Sequence, residues 1–159
     1  GAVVRATTGT ASTAFVLPFR ARAKTVPLAG LSVTLFVSEL PKLGDATRGM
    51  AAVQVFPDAT SAKSVVVRKF QSTMKATGGN PAHFNSTSSL EGWLNAQVMI
   101  EGLKNAGKEP TRDRLRSGLA SIRALSFGDF SVGFGGKAPF VGSDALYLAV
   151  YAENARRIS

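Results

Sequence analysis

Between Thr87 and Gly107 the apolar positions of T-S-S-L-E-G-W-L-N-A-Q-V-M-I-E-G-L-K-N-A-G recur at intervals of three and four, the period of a helix. At about 100° per residue, Trp93, Ala96, Met99, Ile100 and Leu103 fall on one face, and Leu90, Leu94 and Val98 form a second stripe. Two apolar stripes predict burial on two sides, as in a larger α/β body. Ser88 followed at the third position by Glu91 has the spacing of a capping box. Lys104 suits the last turn, and Gly107 can adopt the left-handed conformation that closes it.

The remaining pattern reads as alternating strands and helices. Ala2-Val3-Val4 is a short apolar run with strand character, followed by the loop Thr7-Thr8-Gly9-Thr10 and a helical stretch from Ala11 to Arg22. Pro18 inside that stretch predicts a kink or an early end, because it removes a hydrogen bond and crowds a carbonyl one turn back. Val26 to Leu31 reads as a second buried strand, and strand, helix and strand in so short a span make a parallel crossover. Leu35 to Leu43 predicts a short helix limited by Pro41, and Ala51 to Phe56 a third strand closed by Pro57. Val66 with Phe70 and Val67 with Met74 place an amphipathic helix within 61–76, ended by Gly78-Gly79. Pro110-Thr111 starts another, with Leu115, Leu119 and Ile122 on one face. Phe130, Val132 and Phe134 alternate with Ser131 and Gly133 as a half-buried strand, and Leu146 to Tyr151 reads as a last strand before a polar, basic tail.

Composition narrows the function. With 159 residues, 45% of them hydrophobic and 18% charged, the chain is globular, of a length for one domain or two small lobes. Zero cysteines exclude disulfide scaffolds, thiolate metal sites and cysteine nucleophiles. No apolar run reaches a membrane-spanning length, and a leader ahead of Gly1 is expected to have been removed. The net charge of +9 raises the question of nucleic acid, but the basic residues are scattered from Arg5 to Arg157. Arg112, Arg114 and Arg116 are the nearest thing to a cluster and read as the solvated face of a short helix. No nucleic-acid partner is expected.

Catalytic chemistry finds little support. Ser72-Thr73-Met74-Lys75 fits S-x-x-K, yet the S-D-N and K-T-G partners of that motif do not occur. His83 is the only histidine and cannot build a metal cluster alone. No glycine-rich phosphate loop follows a strand. No catalytic residue, metal or cofactor is expected.

The segments S-L-E-G-W-L-N-A-Q-V-M-I-E-G-L-K-N-A-G, T-T-G-T-A-S-T-A-F, V-P-L-A-G-L-S, A-G-K-E-P-T-R-D-R-L, G-D-F-S-V-G-F and G-S-D-A-L-Y-L, together with the crossing strand ending V-F-P, resemble those of one bacterial transport family, in its order and spacing. That family is the periplasmic solute-binding proteins of ABC importers, in the leucine/isoleucine/valine-binding group. The resemblance covers essentially the whole chain, but such proteins are longer, and what is present resembles their carboxyl-terminal half. It implies an α/β fold of the type I periplasmic-binding-protein kind, two Rossmann-like lobes with parallel central sheets. Residues 1–55 would belong to the second lobe, 56–146 to the first, and 147–159 would return to the second. The implied function is an extracytoplasmic, periplasmic receptor that closes on a small polar or carboxylated molecule and delivers it to an ABC transporter membrane permease. An effector-sensing domain of a transcription repressor shares the fold and is the alternative. A basic α/β nucleic-acid binder is a third reading, which salt-dependent binding would reveal.

In parallel α/β lobes small ligands sit at the carboxyl ends of strands, which singles out Thr7, Thr8 and Gly9 after the first strand and Ser32 after the second. On the family pattern Thr8 and Ser32 fall on second-lobe positions that contact ligand. Amino-acid binders carry a carboxylate where this chain has Ser32, and serine cannot neutralise an ammonium, so the resemblance implies a ligand other than a standard amino acid. Equally, these hydroxyls can simply cap the helices that follow. Phe84 and Ser88 lie on the loop that the family places near the cleft, Phe84 as an apolar wall and Ser88 shared with the capping box. Because the first-lobe helices lack leading strands, the isolated chain is expected to pair with the complementary N-terminal half or with itself.

Overall fold

The computed structural model describes residues 1–7, 9–32, 39–135 and 138–158. In chain order the elements are β1 (Val3–Arg5), α1 (Gly9–Arg22), β2 (Leu28–Leu31), α2 (Leu40–Leu43), β3 (Met50–Gln54), α3 (Val65–Ala76), α4 (Thr87–Ala106) and α5 (Arg112–Ala120). Four short strands complete them: β4 (Leu125–Ser126), β5 (Ser131–Val132), β6 (Tyr147–Tyr151) and β7 (Arg157–Ile158). The chain divides into two compact units, Gly1–Val55 with Leu146–Ser159, and Phe56–Ala145.

The first unit is a five-stranded sheet in the order β1-β2-β3-β6-β7. β1, β2 and β3 are parallel, whereas β6 runs antiparallel to β3 and β7 antiparallel to β6. The polar, basic tail therefore adds an edge strand beyond the one read as the last. One side of the sheet is closed: Leu28, Met50, Ala52 and Tyr151 form a core with Val16 of α1 and Leu40 and Leu43 of α2. Each fully buried large side chain there contributes roughly 1.5–3 kcal/mol. The other side is open. Register places Val4, Ala29, Ala51, Val150 and Ile158 in one row across all five strands, and Leu31, Val53 and Leu148 in the next. Val4 is 80% exposed, Leu148 61% and Leu31 50%. Parallel sheets ordinarily carry helices on both faces, and no described residue of this unit supplies a layer for this apolar one.

Two sequence expectations in this unit need correction. Pro18 neither ends nor interrupts α1, which continues to Arg22. Both Pro18 and Ala14, whose carbonyl loses its partner, are exposed, so water can take the freed acceptor. Pro41 starts α2 rather than limiting it, since it occupies the first turn, where an N–H has no helical partner to lose. Residues 35–38 of the helix expected over Leu35 to Leu43 lie outside the described residues.

In the second unit Val66, Val67 and Phe70 of α3 meet Leu90 and Leu94 of α4 in the core, and all five are at most 2% exposed. The start of α3 is capped twice: Ser64 Oγ accepts from the Val67 N–H at 3.4 Å, and Asp129 Oδ1 accepts from the Val66 N–H at 2.9 Å. Partial burial pushes the Asp129 carboxyl up, but hydrogen bonds from Ser64 and from the N–H groups of Val66, Asp129 and Val65 outweigh it and hold the carboxyl below its ordinary value. A lowered folded pKa means that this stabilisation is complete above the unfolded value of 3.8 and is lost as pH falls through the lower folded value. Asp129→Ala should therefore cost about 1 kcal/mol at neutral pH. The difference in melting temperature from the parent should shrink toward zero in acid; a constant difference down to the acid transition would contradict the cap.

α4 is the helix the periodicity predicts, and Gly107, at φ 83°, closes it. Its cap is Ser86 and not Ser88: Ser86 Oγ accepts from the Ser89 N–H at 3.3 Å, and the Ser86 carbonyl accepts from Leu90 at 3.0 Å. The turn at Pro81–His83, which takes the Ser86 N–H, delivers the chain to the helix two residues early, so Ser88 is already helical and exposed. Burial on two sides is also overturned. Leu90 and Leu94 are buried, while Met99, Ile100 and Leu103 are 40–46% exposed. Trp93 is covered by Phe70 of α3 and by Phe127 beside the β4–β5 ribbon. The strand expected over Phe130 to Phe134 shortens to β5, because the Gly133 and Phe134 N–H groups turn to the carbonyls of Gly142 and Ile122, both at 2.8 Å.

Helices α4 and α5 approach through glycine. A Cβ on Gly118 would lie 2.5 Å from the Gly102 carbonyl oxygen and 3.0 Å from the Ala106 nitrogen, both backbone atoms. In a free helix Gly→Ala gains about 1 kcal/mol. Here backbone must move, an overpacking cost of typically about 1–3 kcal/mol, so Gly118→Ala should lower the melting temperature. A rise would show that the helices do not touch at this point.

Candidate functional site

β1 and β2 are parallel, with Val3 beside Leu28, Val4 beside Ala29 and Arg5 beside Gly30, so their carboxyl ends emerge side by side. Thr7 and Gly9 follow the first, Thr7 exposed and Gly9 buried at the start of α1, and half-buried Ser32 directly follows the second. The structure thus brings Thr7, Gly9 and Ser32 to one end of one sheet. Thr8 lies outside the described residues. Phe84 and Ser88 belong to the other unit: Phe84 is half-buried behind the Pro81–His83 turn, and its carbonyl accepts from Gln71 Nε2 at 3.3 Å. Ser88 sits exposed on the first turn of α4, free of the capping duty given to it.

Sequence reasoning missed Arg5. On the closed side of the sheet Arg5, Gly30, Ala52 and Ala149 share a row, and the Arg5 side chain runs under the first turn of α1, where its Nη1 donates to the Ser12 hydroxyl. Only 5% of Arg5 is exposed, and its Nε and Nη2 have no hydrogen-bond partner among the described residues. Burial lowers its pKa most; the Tyr151 phenol opposes this and the Arg20 charge adds to it. Gln54, on the same side at the carboxyl end of β3, is 2% exposed and its Oε1 likewise has no partner among the described residues. Buried polar groups are nearly always paired, so two orphans behind one set of strand ends mark this end of the sheet as polar and cationic. The available signal was a single arginine closing the apolar run V-V-R immediately before T-T-G.

His83 is exposed in its turn, and Ser72 and Lys75 of the S-x-x-K stretch are exposed on α3.

The model of the periplasmic binding protein family matches residues 1–145. Among curated proteins none matches the chain. The substrate-binding periplasmic protein from Ralstonia solanacearum is 30% identical over 99% of this chain, with a TM-score of 0.80, and the chain covers 44% of it. A branched chain amino acid ABC transporter structure from Thermus thermophilus, solved with bound valine, is 18% identical with a TM-score of 0.76 over 98% of this chain and 44% of its own. A solute binding protein of an R. palustris ABC transporter, in complex with benzoate, is 17% identical with a TM-score of 0.72 over 99% of this chain and 41% of its own. The chain thus spans less than half the length of the proteins it resembles. Its α/β architecture is that of type I periplasmic binding proteins. With the family model matched over residues 1–145, this chain belongs to the periplasmic binding protein family, a solute-binding class.

Proposed function

We propose that this chain is the carboxyl-terminal half of a periplasmic receptor that captures a small carboxylated molecule by hinge closure and hands it to an ABC permease. In this reading residues 1–55 and 147–159 form the second lobe and 56–146 contribute to the first. The observation that carries it is the polar end of the sheet: Thr7 and Ser32 at adjacent parallel strand ends, where ligands of open α/β sheets bind, backed by Arg5 without a carboxylate partner. A buried guanidinium with no carboxylate partner among the described residues favours anions nearby, because its field is weakly screened. The valine and benzoate of the Thermus thermophilus and R. palustris proteins both carry a carboxylate, which supports a carboxylated ligand here. Thr8 and Gly9 complete the loop, and Phe84 and Ser88 would line the cleft from the first lobe. No reaction is involved; the ligand favours the closed form by as much as its affinity for the two forms differs.

The open sheet face supports the second part of the proposal. Its rows of Val, Ala, Ile and Leu call for a helical layer that no described residue of this unit supplies, and the complementary N-terminal half of the receptor would supply it.

Ser32 tests the site. In the complete receptor Ser32→Ala should weaken the ligand by about 1–3 kcal/mol, because a buried polar group of the ligand loses its partner, while the melting temperature stays put. Ser32→Glu should weaken a carboxylate further and favour an amine. Unchanged titration calorimetry for both variants would remove Ser32 from the site.

A further inference from the structure

The Arg112–Arg116 stretch, a solvated face by its sequence, borders a groove of about 370 Å³ lined by Arg112, Leu115, Arg116, Leu119, Phe134 and Phe140. We propose that this groove binds a single-chain anionic amphiphile, a medium-chain aliphatic carboxylate. Arg112 and Arg116 are four apart, as are Leu115 and Leu119, and each arginine stands three before a leucine, so a single face of α5 offers two cations and two alkyl side chains together. The facing wall is aromatic and held in place: the Phe134 N–H donates to the Ile122 carbonyl at 2.8 Å, and Arg123 Nη1 donates to the Gly135 carbonyl at 2.7 Å. Phe140 is 44% exposed at the rim.

The charges are free to act. Arg114, between them, lies 4.0 Å from Glu109 and donates to its carbonyl. Neither Arg112 nor Arg116 forms an ion pair with any described residue. A guanidinium fork matches a carboxylate in two parallel hydrogen bonds, and the apolar walls take the chain behind it. The volume lies within the range of small-ligand pockets, about 300–1,000 Å³. A membrane surface fits less well, because a concave groove encloses one chain where a lipid surface would need a protruding apolar face.

Calorimetric titration of the 159-residue chain with hexanoate, octanoate and decanoate, kept below micelle formation, tests this. Affinity should climb with chain length, by about fourfold per methylene where burial is complete and less in an open groove. Decanol should bind about tenfold or more weakly than decanoate, the worth of a charge-assisted hydrogen bond. The double variant Arg112→Gln/Arg116→Gln should erase the preference for decanoate over decanol, and Phe140→Ala should flatten the chain-length dependence. All three substituted residues are exposed, so unchanged circular dichroism is expected. Equal affinity for acetate and decanoate, unchanged binding by the double variant, or binding only to phosphatidylglycerol vesicles would each overturn the proposal.

Discussion

Purified alone, the 159-residue chain is expected to sediment as dimers or larger species rather than as a monomer. The reason is the uncovered side of the five-stranded sheet, where Val4, Leu31, Leu148 and Ile158 stand 46–80% exposed in register with one another and with Val53 and Val150. Contiguous apolar area of this kind is rare on monomers and drives association. Net charge opposes self-association, and at +9 it is not small. Its repulsion is screened beyond about 8 Å at physiological salt, however, whereas the apolar term is not. Burial wins, and more clearly as salt is raised. The double variant Val53→Lys/Leu148→Lys places two charges in the middle of the face and should shift the species toward monomer. A parent chain that is monodisperse, monomeric and cooperatively melting would show that the face needs no layer.

Trp93→Ala is expected to destabilise the second unit strongly. The indole stacks obliquely on Phe70, with centroids 6.1 Å apart, and on Phe127, at 5.7 Å, and so ties α4 to α3 and to the β4–β5 ribbon at once. Removing a buried Trp costs about 3–5 kcal/mol, and because this one is half-buried the lower end applies. Part of that loss is returned, since its Nε1 is buried without an acceptor among the described residues and its removal ends that penalty. A net cost of about 3 kcal/mol is a large fraction of a typical domain's stability. A melting curve that did not move would mean that α4 is not anchored through this ring.

The elements with a strong period were legible before the structure. α3 and α4 follow from apolar spacings of three, four and seven, α5 from Thr111 at its cap, and β1 to β3 from short apolar runs bounded by Gly, Pro and Thr. What escaped depends on neighbours rather than on period. The stripe Met99, Ile100 and Leu103 has the same spacing as Leu90 and Leu94, and nothing in a helical repeat says which stripe finds a partner. L-A-G-L and A-A-V-Q read equally as strands covered on both faces or on one. Ser88 lost its cap to Ser86 because the preceding turn sets where the helix ladder begins, and two serines so close in sequence are equivalent to a spacing rule. At the candidate site, the strand ends were legible as β-loop-α punctuation. Arg5 was not, because a lone arginine after two valines looks like the exposed end of a strand, and only the packing of α1 over it makes it a buried cation.

The receptor reading rests on a carboxylate being held at the strand ends that carry Thr7, Ser32 and Arg5. Titration calorimetry of the complete receptor with aliphatic and aromatic carboxylic acids, set beside the matching amino acids, tests this most directly. Saturable heats for at least one carboxylic acid, lost on Ser32→Glu, with leucine and valine weak by comparison, are the predicted result. Tight binding of leucine or valine by the unmodified receptor, undiminished by Ser32→Glu, would contradict it.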